Sequence, residues 1–201
     1  MKTNHSMPKA FLVPILIGVP LITANANVFD YNVFLSGPNE SPANASPGTG
    51  FADVKYDDVA HTLFIDLSFS GLLGTTTASH IHAPTVNPGT LTAGVATTTP
   101  YFAGFPIGVT SGTYVNTLDL TAASSYNPAY VTANGGTTAT AEAALALAIA
   151  SDRAYLNIHS SVFSGGEIRG VLVPVPEPSG TALLGLGGAI LAWAGRRRSA
   201  V

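Results

Sequence analysis

Apolar and polar residues alternate along most of the central chain, and a period of two predicts strands. Val28 to Leu35 is rich in β-branched and aromatic residues and stops at Ser36-Gly37-Pro38-Asn39. Residues 38–50 mix prolines with Gly, Ser and Asn and predict a loop. A second strand, Gly50 to Tyr56, turns at Asp57-Asp58 into a third, His61 to Phe69. In that third strand Leu63, Ile65, Leu67 and Phe69 share one face. Gly71 to Gly74 predicts a turn, and Ala78 to Ala83 a fourth strand stopped by Pro84. Residues 84–110 are rich in Thr, Gly and Pro and hold no long periodic run. Gly112 to Leu120 predicts a fifth strand. The Ala-rich stretch Thr138 to Ser151, with Leu145, Leu147 and Ile149, predicts one short helix. Arg153 to Ser160 and Glu167 to Val173 are the last two strands, joined across Ser164-Gly165-Gly166. Seven short strands between turn signals predict an all-β fold, an antiparallel β-sandwich with Greek-key connections.

Both ends break this pattern. Lys2 and Lys9 precede an apolar run from Ala10 to Ile22, followed by Ala24-Asn25-Ala26. A basic start, a short apolar stretch and small residues at a cut site predict a signal peptide over 1–26, cleaved after Ala26. The run covers about 20 Å as a helix, short of the roughly 30 Å hydrocarbon core. At the other end, Pro176-Glu177-Pro178 leads into an apolar run over 180–195 and then Arg196, Arg197 and Arg198. That run predicts a membrane helix, lengthened by Trp193 and the snorkelling arginines. Arginines on the cytoplasmic side leave the main domain outside, in agreement with the signal peptide.

Three parts in that order, over 175–201, resemble the PEP-CTERM sorting signal. The resemblance implies a Gram-negative host that makes exopolysaccharide, with signal peptidase and an exosortase-type enzyme as processing partners. The precursor would be anchored transiently in the inner membrane and cut near Pro176-Glu177-Pro178. The mature form would reach the cell envelope or extracellular matrix, with exopolysaccharide or surface proteins as candidate partners.

Composition narrows the remaining domain, residues 27–174. The chain has no cysteine, which excludes a disulfide scaffold, a thiolate zinc site and a cysteine nucleophile. The formal net charge of −3 hides an acidic domain. Between the terminal segments lie ten acids and only three bases, Lys55, Arg153 and Arg169, a net of −7. Such a surface disfavours nucleic acid and tolerates cations.

The informative polar residues sit inside predicted strands. Ser79-His80-Ile81-His82 places two imidazoles at i and i+2, on one face about 7 Å apart. Asn157-Ile158-His159 repeats the pattern, and Glu167-Ile168-Arg169 repeats it with an acid and a base. With Ile81, Ile158 and Ile168 toward the core, the six flanking residues share one polar face. His80, His82, His159 and Glu167 are then candidate ligands for copper or zinc. The structural alternative is a polar cluster of Asn157, Glu167 and Arg169, with Glu167 paired to Arg169 and the histidines bonded to backbone. No catalytic spacing stands out: there is no Ser-His-Asp pattern, phosphate loop or carboxylate pair.

At these residues the chain resembles the CHRD (chordin-type) domain. The pieces, in the family's order, are Leu35-Ser36-Gly37-Pro38-Asn39-Glu40-Ser41-Pro42, Gly48-Thr49-Gly50, Phe69-Ser70-Gly71-Leu72 and Ala78-Ser79-His80-Ile81-His82-Ala83-Pro84. Ala154-Tyr155-Leu156-Asn157-Ile158-His159-Ser160 and Gly165-Gly166-Glu167-Ile168-Arg169-Gly170 close the series. The resemblance implies an extracellular, non-enzymatic binding or structural module. A weaker resemblance links His80, His82, His159 and Arg169 to Cu/Zn superoxide dismutases, without their bridging histidine. The sandwich is therefore expected to be immunoglobulin-like or superoxide dismutase-like. A copper- or zinc-binding protein with dismutase-like activity is the alternative function.

Overall fold

The computed structural model describes residues 27–176. The signal peptide with Ala24 and Ala26, Glu177, Pro178, the apolar run over 180–195 and Arg196 to Arg198 lie outside the described residues. Among the described residues no helix is long and apolar enough to cross a membrane.

The period-two segments form strands. They are β1 (Val28–Ser36), β2 (Thr49–Asp57), β3 (Thr62–Ser70), β4 (Thr76–His82), β5 (Gly112–Asp119), β6 (Tyr155–Ser160), β7 (Ile168–Val171) and β8 (Val173–Pro174). All strand pairs are antiparallel, in the order β4-β6-β7-β1-β2-β3-β5, with β8 beside β1. Alternation sets the inner face. Tyr31, Val33 and Leu35 of β1 and Leu63, Ile65, Leu67 and Phe69 of β3 are buried. Register stacks Val33 on Ala52 and Ala52 on Leu67, so one apolar layer runs across three strands. The sheet curls around this core. Its two ends approach where Thr76 N donates to Val109 O and Gly108 N to Thr76 O, at 2.8 and 2.9 Å.

Two helices close the core. α1 (Pro128–Ala133) starts with proline at its first position, and its Asn127 cap accepts from Ala129 N. α2 (Thr138–Ala150) carries a reciprocal cap between Thr137 and Thr140. Its Ala141, Leu145, Ala148 and Ile149, spaced by helical turns, are buried. α1 is absent from the sequence reading because six residues are too few to show a 3.6-residue period.

Two other boundaries differ from expectation. Arg153 closes α2, its N–H bonding Ala148 O, so β6 begins at Tyr155. The expected last strand splits at Leu172, whose N–H bonds Ala154 O before the chain crosses to β1 as β8. Residues 94–109 are irregular but not idle. They cover the outer edge of β4 through Ala96 N to Ile81 O and Phe102 N to Ser79 O, and they bury Phe102 and Phe105.

Candidate metal centre

Strand parity builds the site. Ile81 and Ile158 are fully buried in the core, which turns His80, His82, Asn157 and His159 to the opposite face. In the β4–β6 register His80 faces Asn157, Ala78 faces His159 and His82 faces Tyr155. His159 therefore lies diagonal to His80, within side-chain reach. The ring centroids of His80 and His82 stand 4.6 Å apart, and those of His80 and His159 4.8 Å. One nitrogen from each ring lies within 4.8 Å of the other two.

Each ring is oriented by a backbone carbonyl. The Nδ1 atoms of His80, His82 and His159 bond Pro100 O at 2.9 Å, Ala93 O at 2.7 Å and Ser164 O at 2.8 Å. A carbonyl only accepts, so all three Nδ1 atoms carry the proton. Burial pushes the His80 and His82 imidazoles down to about 4 and lowers His159 too, so all three are neutral at pH 7. A neutral ring protonated at Nδ1 offers only a lone pair at Nε2. The Nε2 atoms of His80 and His159 nevertheless face each other at 3.1 Å. The Nε2 of His82 is buried without a partner. Three lone pairs thus converge with no donor among them.

Three nitrogens about 2.0–2.1 Å from one ion stand roughly 3.4 Å apart in tetrahedral geometry. The widest gap here closes to that by a shift of about 1–1.5 Å, within the reach of side-chain rotation. Imidazole donors suit copper and zinc, and carbonyl bonds at Nδ1 are the usual outer support of such ligands. Tyr155 stacks on His82 with centroids 4.6 Å apart and an interplanar angle of 8°, fixing the third ring.

Glu167 is a correction: it does not join the histidines. It precedes β7 in a bend after Gly166, whose φ is +129°, so strand parity does not govern it. Its fully buried carboxylate accepts from Ser46 Oγ at 2.6 Å, Leu73 N, and Gly74 N at 3.2 Å. Burial alone would raise its pKa, but these bonds and one from Ser160 outweigh that and hold it low. Nor does Glu167 pair with Arg169. Arg169 faces Asn157 across β6–β7 and donates from Nε to Asn39 O and from Nη1 to Leu91 O at 2.7 Å. Asn157 Nδ2 donates instead to Glu40 Oε1 at 2.9 Å. Sequence reasoning missed Glu40, Tyr155 and the three carbonyls. Glu40 and Tyr155 stood within quoted motifs, whereas a carbonyl acceptor leaves no mark on residue type.

Comparison with known proteins finds two matches. A CHRD domain model matches residues 31–172, and a PEP-CTERM protein-sorting motif matches residues 174–198. No curated protein and no solved structure matches the chain. The sorting motif implies export, a membrane-anchored precursor and processing by an exosortase-type system. The CHRD match takes in both strands that carry the histidines and most of the sequence, and the chain belongs to the CHRD domain family.

Proposed function

We propose that this is an exported, non-enzymatic module of the cell envelope or extracellular matrix whose CHRD domain holds one copper or zinc ion. The ligands are His80, His82 and His159; Glu167 is excluded by its own bonds. The observation that carries this reading is the 3.1 Å approach of two Nε2 lone pairs beside a third that is buried and unpartnered. Neutral imidazoles in that arrangement repel one another, and a shared cation removes the repulsion. The curled sheet is read as a Greek-key sandwich. Support comes from the chain leaving β3, crossing to the far end of the sheet as β4, and returning as β5.

Elemental analysis of the purified full-length protein tests the metal. After chelation and reloading with zinc or copper, one ion per chain is expected. His82→Ala should lose the ion while the β circular-dichroism signal persists. Wild-type protein that retains neither metal, or a variant that loads equally, refutes the site.

A further inference from the structure

A second feature of the polar face lies away from the histidine nitrogens. Arg169 lines a cleft of about 510 Å³ together with Phe34, Glu40, Ser41, Thr90, Leu91 and Val173. Arg169 is 5 % exposed, and buried cations are ordinarily paired with an acid. Even Lys55, whose side chain is 38 % exposed, pairs with Asp30 at 3.0 Å and Asp53 at 3.2 Å. Arg169 does not: among the described residues it has no ion pair. The acid whose field reaches it is Glu40, whose own burial holds that carboxyl up near 7, so its charge is incomplete.

The free donors of Arg169 have a definite geometry. Nε and one N–H of Nη1 are spent on Asn39 O and Leu91 O. Of five N–H groups, one on Nη1 and two on Nη2 then have no backbone acceptor, and the guanidinium lies over the Tyr155 ring, 4.6 Å from its centroid; an Nη1–Nη2 edge takes a carboxylate with two parallel bonds. The rim around this cation is apolar and exposed: Phe34 at 67 %, with Leu91 and Val173 also open. Phe34 leans on Phe51 with centroids 5.1 Å apart, forming an aromatic platform. Ser41 and Thr90 line the same cleft, and the Thr90 hydroxyl donates to Asn87 O at 3.3 Å, leaving its lone pairs to accept.

We propose that this cleft binds a saccharide bearing a single carboxylate, a uronate-type sugar. The carboxylate meets the Arg169 fork, a C–H face of the ring lies on Phe34, and hydroxyls reach Ser41 and Thr90. Cation, apolar plate and hydroxyls together match the three kinds of surface such a sugar presents. The net charge of −7 over residues 27–174 favours a terminal or short uronate over a long polyanion. None of its lining residues is a histidine ligand, and Arg169 touches the metal centre only through the Tyr155 ring that stacks on His82.

Titration calorimetry of the full-length protein with sodium glucuronate, in the presence of a chelator, tests it. Saturable binding is expected, at least tenfold tighter than with glucose, which lacks the carboxylate. Arg169→Gln should bring glucuronate down to the glucose level. Because Arg169 also ties down Asn39 and Leu91, Phe34→Ala is the second variant. It should weaken glucuronate several-fold and leave the thermal midpoint unchanged. Absence of saturation, equal binding of glucose, or an unaffected Phe34→Ala variant overturns the proposal. So does tighter binding of an acetylated dipeptide with a free C-terminal carboxylate, which would make the cleft a peptide site. Binding that disappears on chelation overturns it as well, since the carboxylate would then sit on the metal.

Discussion

Replacing Glu167 by glutamine removes one charge and one acceptor at nearly constant volume. In the wild type, Oε1 accepts from Ser46 Oγ and Leu73 N, and Oε2 from Gly74 N. The glutamine amide keeps one acceptor oxygen, which serves Ser46 and Leu73. Its NH₂ group then faces the Gly74 N–H, donor against donor. A buried N–H left unpaired costs about 1–3 kcal/mol. Bonds to a charged acceptor are worth about 1.5–3 kcal/mol against about 1 for neutral ones, so the retained pair weakens too. The sum is about 2–4 kcal/mol, a drop in thermal midpoint of roughly 5–15 °C for a domain of this size. Thermal and urea unfolding of the full-length protein, followed by circular dichroism, reads this directly. Metal content per folded chain should not change, because Glu167 touches none of the imidazoles. A loss below about 0.5 kcal/mol refutes the anchoring role. A variant that stays folded but takes up no metal restores Glu167 as a ligand and refutes the three-histidine set.

Metal uptake should fall only below the ordinary imidazole value of 6.5, because burial lowers all three histidines, His80 and His82 to about 4; half-loss at or above pH 6.5 would contradict that environment. Glu40 works in the opposite sense on stability. Its folded value of about 7 exceeds the ordinary 4.5, so its contribution is complete below pH 4.5 and is lost as pH rises through 7. Glu40→Gln should therefore unfold at higher urea than wild type at pH 8, by up to about 3 kcal/mol, and show no such gain at pH 4.5. Mass spectrometry of the released protein should find residues 1–26 missing and a cut near Pro176-Glu177-Pro178; released protein that still carries Arg196 to Arg198 refutes the processing scheme.

The histidine face was legible because the hydrophobic demand is strong where it matters. Ile81 and Ile158 must reach the core, and a strand then has only one other side on which to put His80, His82 and His159. The same logic failed at Glu167, where a glycine at positive φ interrupts the strand and releases the side chain toward residues 72–74. What turned the cluster into a donor set was also hidden. The carbonyls of Ala93 and Pro100 belong to a stretch without periodicity, and only its folding along the β4 edge brings them to the rings. The diagonal of His80 and His159 depends on which residue of β6 meets Ala78, a register that no local pattern encodes.

The pairing of β8 with β1 has a mechanical consequence. Asn32 faces Val173, Tyr31 faces Pro174, and Val175 N bonds Asp30 O, so the chain enters and leaves the domain side by side. Tension between the two ends therefore enters as a peeling force on a two-residue strand, whose bonds yield one at a time. Tension on the C-terminal side alone runs from residue 175 straight into the middle of the sheet. The bonds of residues 173–175 to β1 lie first in the path of such tension, ahead of the pairing of β7 with β6. A chain tugged at its attachment point can fray at residues 173–175 while the imidazoles keep their spacing.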